Sequence, residues 1–550
     1  MKKLLKYILS LSILTLVLGT SCKKDFFNRP PENASTVGTY YQTTDQVLSS
    51  TNILYAAPWF GLNGKAFLAI SELQSGNALC YAGTDGSFDA FRNYSEGNAT
   101  QTVQSAWNSL FTVVAQSNAL LNNLGTSAGS AVPASVVNNA LGEAHLMRAA
   151  AYFYLVRLFG NVPIVTDPTL LVTSFRTVYP NPVTDVYKFI VNDLTFAEAN
   201  CTPGVASTGH VSSGSASAML AKVYLYMQDY ANAKKEAEKV INSGEFGLMG
   251  IDFAGSYVNL FETAYNNNKE SIVALQWTSN GGYGFGNQIQ SVVAISNNGN
   301  ALTGTGDGYG ELGPTWDLID AYAQEGDVVR QHGTIMLPGD IYPELHKKDG
   351  GYTVPPDVNA QGTHSGVKKY VVGTPADNNG ASAAQAASNC TYIMRYADVY
   401  LIEAESILGL SANPGVGKGI DTNAVCSDAT ALKYFNLIRQ RAGLSNRTKF
   451  TYRDLLNERR LEFAFEGDYW YDMTRIDGFN SKTHPIAEAI QSKINKGNSS
   501  GGGTLAGNYK DYTRNIQYYT PTDAQFTIPV PAIEVAADPN LILAPVPYKF

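Results

Sequence analysis

Histidine, cysteine, charge and long apolar runs are all scarce in this sequence, and each scarcity removes a class of function. The six histidines (His145, His210, His332, His346, His364 and His484) are dispersed and none falls in a His-Glu-x-x-His pattern, so a zinc hydrolase is not indicated. Beyond Cys22, the cysteines Cys80, Cys201, Cys390 and Cys426 lie too far apart for a metal knuckle or a redox pair, although a disulfide among them stays open. Charged residues make up only 16% of the chain and the net charge is −8, which argues against a nucleic-acid partner because such proteins present a basic face. After the first twenty residues no apolar run is long enough to cross a bilayer core of ~30 Å.

The first residues form a three-part pattern. A basic start, Met1-Lys2-Lys3-Leu4-Leu5-Lys6, precedes an uncharged apolar run from Tyr7 to Leu18, and Gly19-Thr20-Ser21 lead to Cys22. That is a secretory signal ending at a cysteine that a lipoprotein peptidase can reach, with Leu18 one place further back than usual. The expected organisation is a signal peptide over 1–21, a lipidated Cys22 with a proline-bearing linker (Pro30, Pro31) to residue 36, and one large domain over 37–550. An acylated cysteine holds a protein to a membrane because each buried methylene contributes ~0.8 kcal/mol and several chains add up.

Two kinds of segment alternate in the body. Apolar and small residues recur at helical spacing over 139–159, where Ala140, Ala144, Met147, Ala151, Leu155 and Leu158 share a face and Gly160 then Pro163 end it. Ala218, Ala221 and Tyr224, followed by Tyr230, Ala233 and Ala237, predict two short helices joined near Gln228 and Asp229, with Gly244 as the stop. Further helices are predicted over 395–408, 433–441 and 452–466. These pairs are similar to tetratricopeptide units, scattered rather than in tandem. Between them, 80–97, 279–313, 337–388 and 496–508 are rich in Gly, Asn, Ser and Asp and read as long loops, which in a compact domain are usually functional.

Several ordered stretches resemble the SusD/RagB family. They begin with Gly142-Glu143-Ala144-His145-Leu146-Met147-Arg148-Ala149-Ala150-Ala151-Tyr152-Phe153, in a run that continues to Phe159-Gly160-Asn161-Val162-Pro163. Next come Ala221-Lys222-Val223-Tyr224-Leu225, the stretch 394–405 with Arg395-Tyr396-Ala397-Asp398, and Ile438-Arg439-Gln440-Arg441-Ala442-Gly443. The last are Glu458-Arg459-Arg460-Leu461-Glu462-Phe463 with Trp470-Tyr471-Asp472-Met473, and Ile528-Pro529-Val530-Pro531. At the end Ala544-Pro545-Val546-Pro547-Tyr548 departs from the family's usual closing residues. The resemblance implies a mainly α-helical SusD-like fold with tetratricopeptide-like helix pairs, long loop insertions and few short strands. It also implies a surface lipoprotein of the outer membrane of Bacteroidetes. Such a protein captures an oligosaccharide and passes it to a SusC-like TonB-dependent transporter. The alternatives are a secreted glycoside hydrolase and a peptide-capturing relative.

Catalytic patterns are present but weak. Gly125-Thr126-Ser127-Ala128-Gly129 matches a nucleophile elbow, yet a helical pattern precedes it where a strand is required, so a loop between helices is expected. Gly308-Tyr309-Gly310-Glu311-Leu312-Gly313 matches a dinucleotide fingerprint without its preceding strand. Glu403, Glu405, Glu458, Glu462 and Glu466 could pair as glycosidase acids, but Arg459 and Arg460 beside them favour Arg–carboxylate ties between packed helices. No cofactor is expected; Asp85, Asp89, Asp307 and Asp327 leave room for a loop calcium without the order of an EF-hand.

Sugar capture needs flat rings for the C–H face of a pyranose and polar groups for its hydroxyl rim. Two loops carry that mixture. One holds Tyr81, Asp85, Phe88, Phe91, Arg92 and Tyr94; the other holds Trp277, Tyr283, Phe285, Asn287 and Tyr309. These eleven residues are the candidate glycan contacts, while Trp107, Trp316 and Trp470 are assigned to the core.

Overall fold

A computed structural model describes residues 40–81, 86–167, 178–204, 209–295, 302–355, 362–412, 417, 419–500 and 512–550. The signal pattern, Cys22, the linker and Asp85 lie outside the described residues.

The fold is mainly α-helical, as expected. Its main helices are α1 (Gly86–Asn93), α2 (Gln101–Ser127), α3 (Ala134–Phe159), α4 (Val183–Asn200), α5 (Ser213–Tyr226), α6 (Tyr230–Ser243), α7 (Tyr396–Ala412), α8 (Ala429–Arg441) and α9 (Tyr452–Phe463). Consecutive members of the series α2 to α8 pack on one another, and α6 meets α7 across the long insertion between them. Local chemistry sets the boundaries. Ser212 caps α5 in a reciprocal box with Ser215, Asp229 accepts the Asn232 amide to start α6, and Gly244 ends α6 in the left-handed conformation (φ 67°, ψ 10°). Small residues on α3 permit close approach: a Cβ on Gly142 would lie 2.6 Å from Cys201 Sγ.

The Gly125–Gly129 pattern is corrected in detail. Helix α2 runs through Ser127, so the motif occupies a helix end, with neither a loop at its serine nor the strand-to-helix turn of a nucleophile elbow.

Short antiparallel pairs staple the insertions to this scaffold. Strand β1 (Ala78–Cys80) pairs with β3 (Leu312–Pro314), and β2 (Ser271–Leu275) pairs with β4 (Thr391–Arg395). Behind β4 lies a buried ionic network. Arg395 holds Glu270, Glu462 (3.0 Å) and Glu466 (2.6 Å), Arg441 holds Glu270 and Glu462, and Arg330 reaches Glu458 at 2.7 Å. The three guanidiniums hold the Glu462 carboxyl well below the usual carboxylate range. Glu405 likewise pairs with Arg475. The acids considered as glycosidase residues are thus ties between elements, except Glu403, whose nearest cation is Lys234 at 3.7 Å. Trp107, Trp316 and Trp470 are buried, as assigned.

Candidate functional site

The Gly-rich turn after β2 presents two aromatic rings to solvent. Tyr283 sits between Gly282 (φ 68°) and Gly284 (φ 96°), backbone conformations that a side chain with a Cβ rarely adopts. Amide hydrogen bonds from Gly282 to the Ser279 carbonyl and from Phe285 to the Gly282 carbonyl tighten the turn. A Cβ on Gly286 would lie 2.5 Å from the Cα of Ala386, so the returning chain passes only because no side chain is there. Tyr283 is 65% exposed and Phe285 51%.

Asn287 anchors this turn from inside. Its backbone exchanges two hydrogen bonds with Ala387, its side-chain amide donates to the Asn389 carbonyl (3.1 Å) and Thr391 Oγ1 (3.3 Å), and its oxygen accepts from Asn63. Trp277 is buried below, donating Nε1–H to Thr391 Oγ1 at 3.0 Å. Asn287 and Trp277 were candidate glycan contacts; the structure makes them the turn's foundation, because their polar groups are already spent inside the protein.

Tyr309 arrives from the second part of the loop, again between two glycines with positive φ, Gly308 (124°) and Gly310 (54°). Its amide donates to the Ser291 carbonyl at 2.8 Å, and its ring is 42% exposed. Phe60 completes the wall. Its ring meets that of Tyr283 edge-on at 5.0 Å and that of Trp277 at 6.5 Å. Phe60, Tyr283 and Tyr309 line a groove of about 250 Å³ with Lys65, Gln101, Gln288 and Gln385. Lys65 is held by Glu311 at 2.9 Å and keeps its side chain partly exposed. Aromatic walls with amides and one ammonium suit a polar, ring-shaped ligand. Phe60, Lys65, Gln101 and Gln385 were not among the sequence candidates. The alternation of aromatics and glycines in Trp59-Phe60-Gly61-Leu62-Asn63-Gly64 is the signal that would have found the first two.

The other candidate loop is corrected. Residues 86–93 form a helix, and Phe88 and Phe91, one turn apart, are both fully buried on its inner face. Tyr81 is buried with its ring where a Cβ on Gly313 or Gly362 would stand, and its hydroxyl donates to the Pro314 carbonyl at 3.2 Å. Tyr94 is buried and donates to the Gln74 carbonyl at 3.0 Å. Arg92 is spent on Asp89 (2.7 Å), the Lys496 carbonyl and Gln517. These side chains fill the core or tie elements together and present no ring face to solvent. Of the acids considered for a loop calcium, Asp85 lies outside the described residues, Asp89 pairs with Arg92, Asp307 accepts from the Gln385 amide and Asp327 pairs with Arg330; no group of three potential ligands converges among the described residues.

A helical scaffold of paired helices that carries an aromatic groove on its loops is the architecture of SusD-like proteins. The chain belongs to the SusD family: it matches that family over residues 269–546, and residues 76–225 match the family described as "starch-binding associating with outer membrane". A SusD-like protein of Bacteroides ovatus is 30% identical over 98% of this chain and 97% of its own length. Among solved structures, one determined with a xylogluco-oligosaccharide is 28% identical, with a TM-score of 0.77 over 92% of this chain and 99% of its own. A laminarin-binding SusD-like protein shares the fold with a TM-score of 0.67 at 23% identity, over 90% of this chain and 98% of its own. Among the described residues no helix is long and apolar enough to cross a membrane.

Proposed function

We propose that this protein is a surface lipoprotein of the outer membrane that binds oligosaccharide in the Phe60–Tyr283–Tyr309 groove and delivers it to a SusC-like TonB-dependent transporter. The observation that carries the binding step is the exposure of Tyr283 and Tyr309, each raised between two glycines beside Phe60 while the other candidate aromatics except Phe285 are buried. Stacking on the rings covers the apolar face of a sugar, and Lys65 with the three glutamines serves its hydroxyls. Membership of the SusD family and a xylogluco-oligosaccharide in a related structure support a glycan ligand.

The N-terminal pattern supports the rest. A lipid on Cys22 and a linker to residue 36 would hold a single binding domain, residues 37–550, beside a barrel in the same membrane, raising their effective concentration. Two measurements test the whole. Calorimetric titration with xyloglucan and laminarin oligosaccharides should show binding to the native protein that is lost in the Tyr283→Ala/Tyr309→Ala variant. A Cys22→Ala variant should impair glycan uptake by cells; unaltered uptake would remove the anchor from the mechanism.

A further inference from the structure

A cleft of about 470 Å³ opens between the helix Trp316–Glu325, α9 and the chain segment 514–518, and it shares no lining residue with the aromatic groove. Its volume lies within the ~300–1,000 Å³ of small-molecule sites.

Three elements build it. The helix Trp316–Glu325 contributes Asp317, Asp320 and Gln324, spaced three and four apart so that they share one outward stripe. Helix α9 contributes Asn457 and Arg460. The third wall continues the strand Thr513–Arg514, and in extended chain successive side chains take opposite sides. On one side, Gln517 Oε1 accepts from Arg92 Nη1 at 3.2 Å and the Tyr519 ring lies 5.4 Å from the Arg92 guanidinium. On the other, Arg514, Ile516 and Tyr518 line the cleft. The arm is pinned from behind: the Asn515 amide donates to the Asn498 carbonyl and the Lys496 amide to the Gln517 carbonyl, both at 2.8 Å. At the base the Arg514 guanidinium lies over the Trp316 ring at 4.2 Å.

The groups that line this cleft are accessible. Tyr518 is 55% exposed, and the side chain of Asp320 is 41% exposed. Asp317 accepts one N–H from Arg460 at 2.7 Å and Asp320 one from Arg514 at 2.6 Å, and each keeps its other oxygen free among the described residues. The side-chain amides of Gln324 and Asn457 and the Tyr518 hydroxyl have no hydrogen-bond partner among the described residues. The two acids are each neutralised by an arginine, and the exposed Lys493 is the one further charge in the lining. A low net charge with many free acceptors and donors suits hydroxyl groups better than an ion.

We infer that this cleft is a second saccharide site, which takes an uncharged sugar unit with its C–H face on Tyr518 and its hydroxyls toward Asp320, Gln324 and Asn457. The inference rests on the reading of the protein as a glycan binder. One exposed ring here, against Tyr283 and Tyr309 beside Phe60 in the groove, makes this the weaker site. Its contribution is therefore felt on a polymer, where a second contact becomes intramolecular once the first is made.

The test is affinity electrophoresis of the full chain in gels containing xyloglucan or laminarin. The Tyr283→Ala/Tyr309→Ala variant should keep a residual retardation, with an affinity roughly tenfold below that of the native protein. Adding Tyr518→Ala should abolish that residue, whereas adding Tyr518→Phe, which retains the ring, should preserve it. Neither change at this exposed position should move the melting temperature. A Tyr283→Ala/Tyr309→Ala variant that migrates as in a gel without polysaccharide overturns the inference, and so does a residual retardation that Tyr518→Ala leaves unchanged. A native protein retarded in neither gel overturns the glycan reading and the second site together. A Tyr283→Ala/Tyr309→Ala variant retarded as strongly as the native protein, and released by Tyr518→Ala, overturns the groove and upholds the cleft.

Discussion

Tyr283 stands edge-on to Phe60, with ring centroids 5.0 Å apart and planes at 79°, so the two rings form a corner of the groove rather than a stack. An edge-to-face pair is itself favourable, and it leaves a face of the exposed ring free for a ligand. Removing Tyr283 or Tyr309 should therefore cost about 1–2 kcal/mol of glycan affinity each, roughly 5- to 30-fold, with the melting temperature unchanged. Calorimetry and a thermal melt on the same samples check both halves.

Trp277 separates support from contact. Its burial and its hydrogen bond to Thr391 place it under the turn. Trp277→Ala should destabilise the protein by about 3–5 kcal/mol, visible as a fall in denaturant midpoint. Any loss of glycan binding should be accompanied by that fall, whereas Tyr283→Ala should lose binding alone.

Gly282 tests whether the turn is pre-shaped. With φ 68° and ψ −154° it adopts a conformation that only glycine takes at low cost. Nothing lies within 4 Å of a Cβ there, so strain and not collision is what Gly282→Ala introduces. The variant should lose about 1–3 kcal/mol, divided between stability and affinity according to how far the turn shifts. A control, Ser279→Ala, keeps the backbone allowed and should have a smaller effect on affinity.

Glu403 predicts an unusual pH dependence. It is fully buried, neither carboxylate oxygen has a hydrogen-bond partner among the described residues, and burial pushes its carboxyl up to about 7. A carboxyl raised in the folded state binds its proton more tightly there than when unfolded. Its contribution to stability therefore declines as pH rises from ~4.3 towards 7. Glu403→Gln, which mimics the protonated form, should raise the melting temperature at pH 8 and change it little at pH 4. The difference between the two pH values is the readout.

Glu462 has the opposite sign. Arg441, Arg395 and Arg330 hold its folded pKa below the unfolded value, so its stabilisation is complete above ~4.3 and is lost as pH falls below that. Glu462→Gln should cost about 3–5 kcal/mol at neutral pH, because three buried guanidiniums lose a counter-charge. The penalty should shrink in acid, measured as the denaturant midpoint from pH 7 to pH 3.

The helix pairs were legible in the sequence because their code is local. Alanines and tyrosines at helical spacing, the turn at Asp229 and the stop at Gly244 act within a few residues of one another, and the observed pair Ser213–Tyr226 and Tyr230–Ser243 follows them. The arginine–glutamate ties were legible in kind for a similar reason, since Glu458 and Glu462 share a helix with Arg459 and Arg460.

The groove was legible only in part. By itself the sequence determined the fold class, the paired helices, the cysteine-ended N-terminal pattern and the chemistry of a polar, aromatic-lined loop. Only the tertiary structure decided which rings remain outside. Phe91 and Phe285 have the same side chain, and Tyr81 and Tyr283 have the same phenol, yet Phe91 and Tyr81 are buried and Phe285 and Tyr283 are exposed. The difference lies in distant partners. Tyr81 fills the space that Gly313 and Gly362 leave open, Trp277 is fixed by Thr391, and Phe60 enters the groove from a far earlier segment. For these loop rings, burial is set by what the folded chain brings against a residue from far away in sequence.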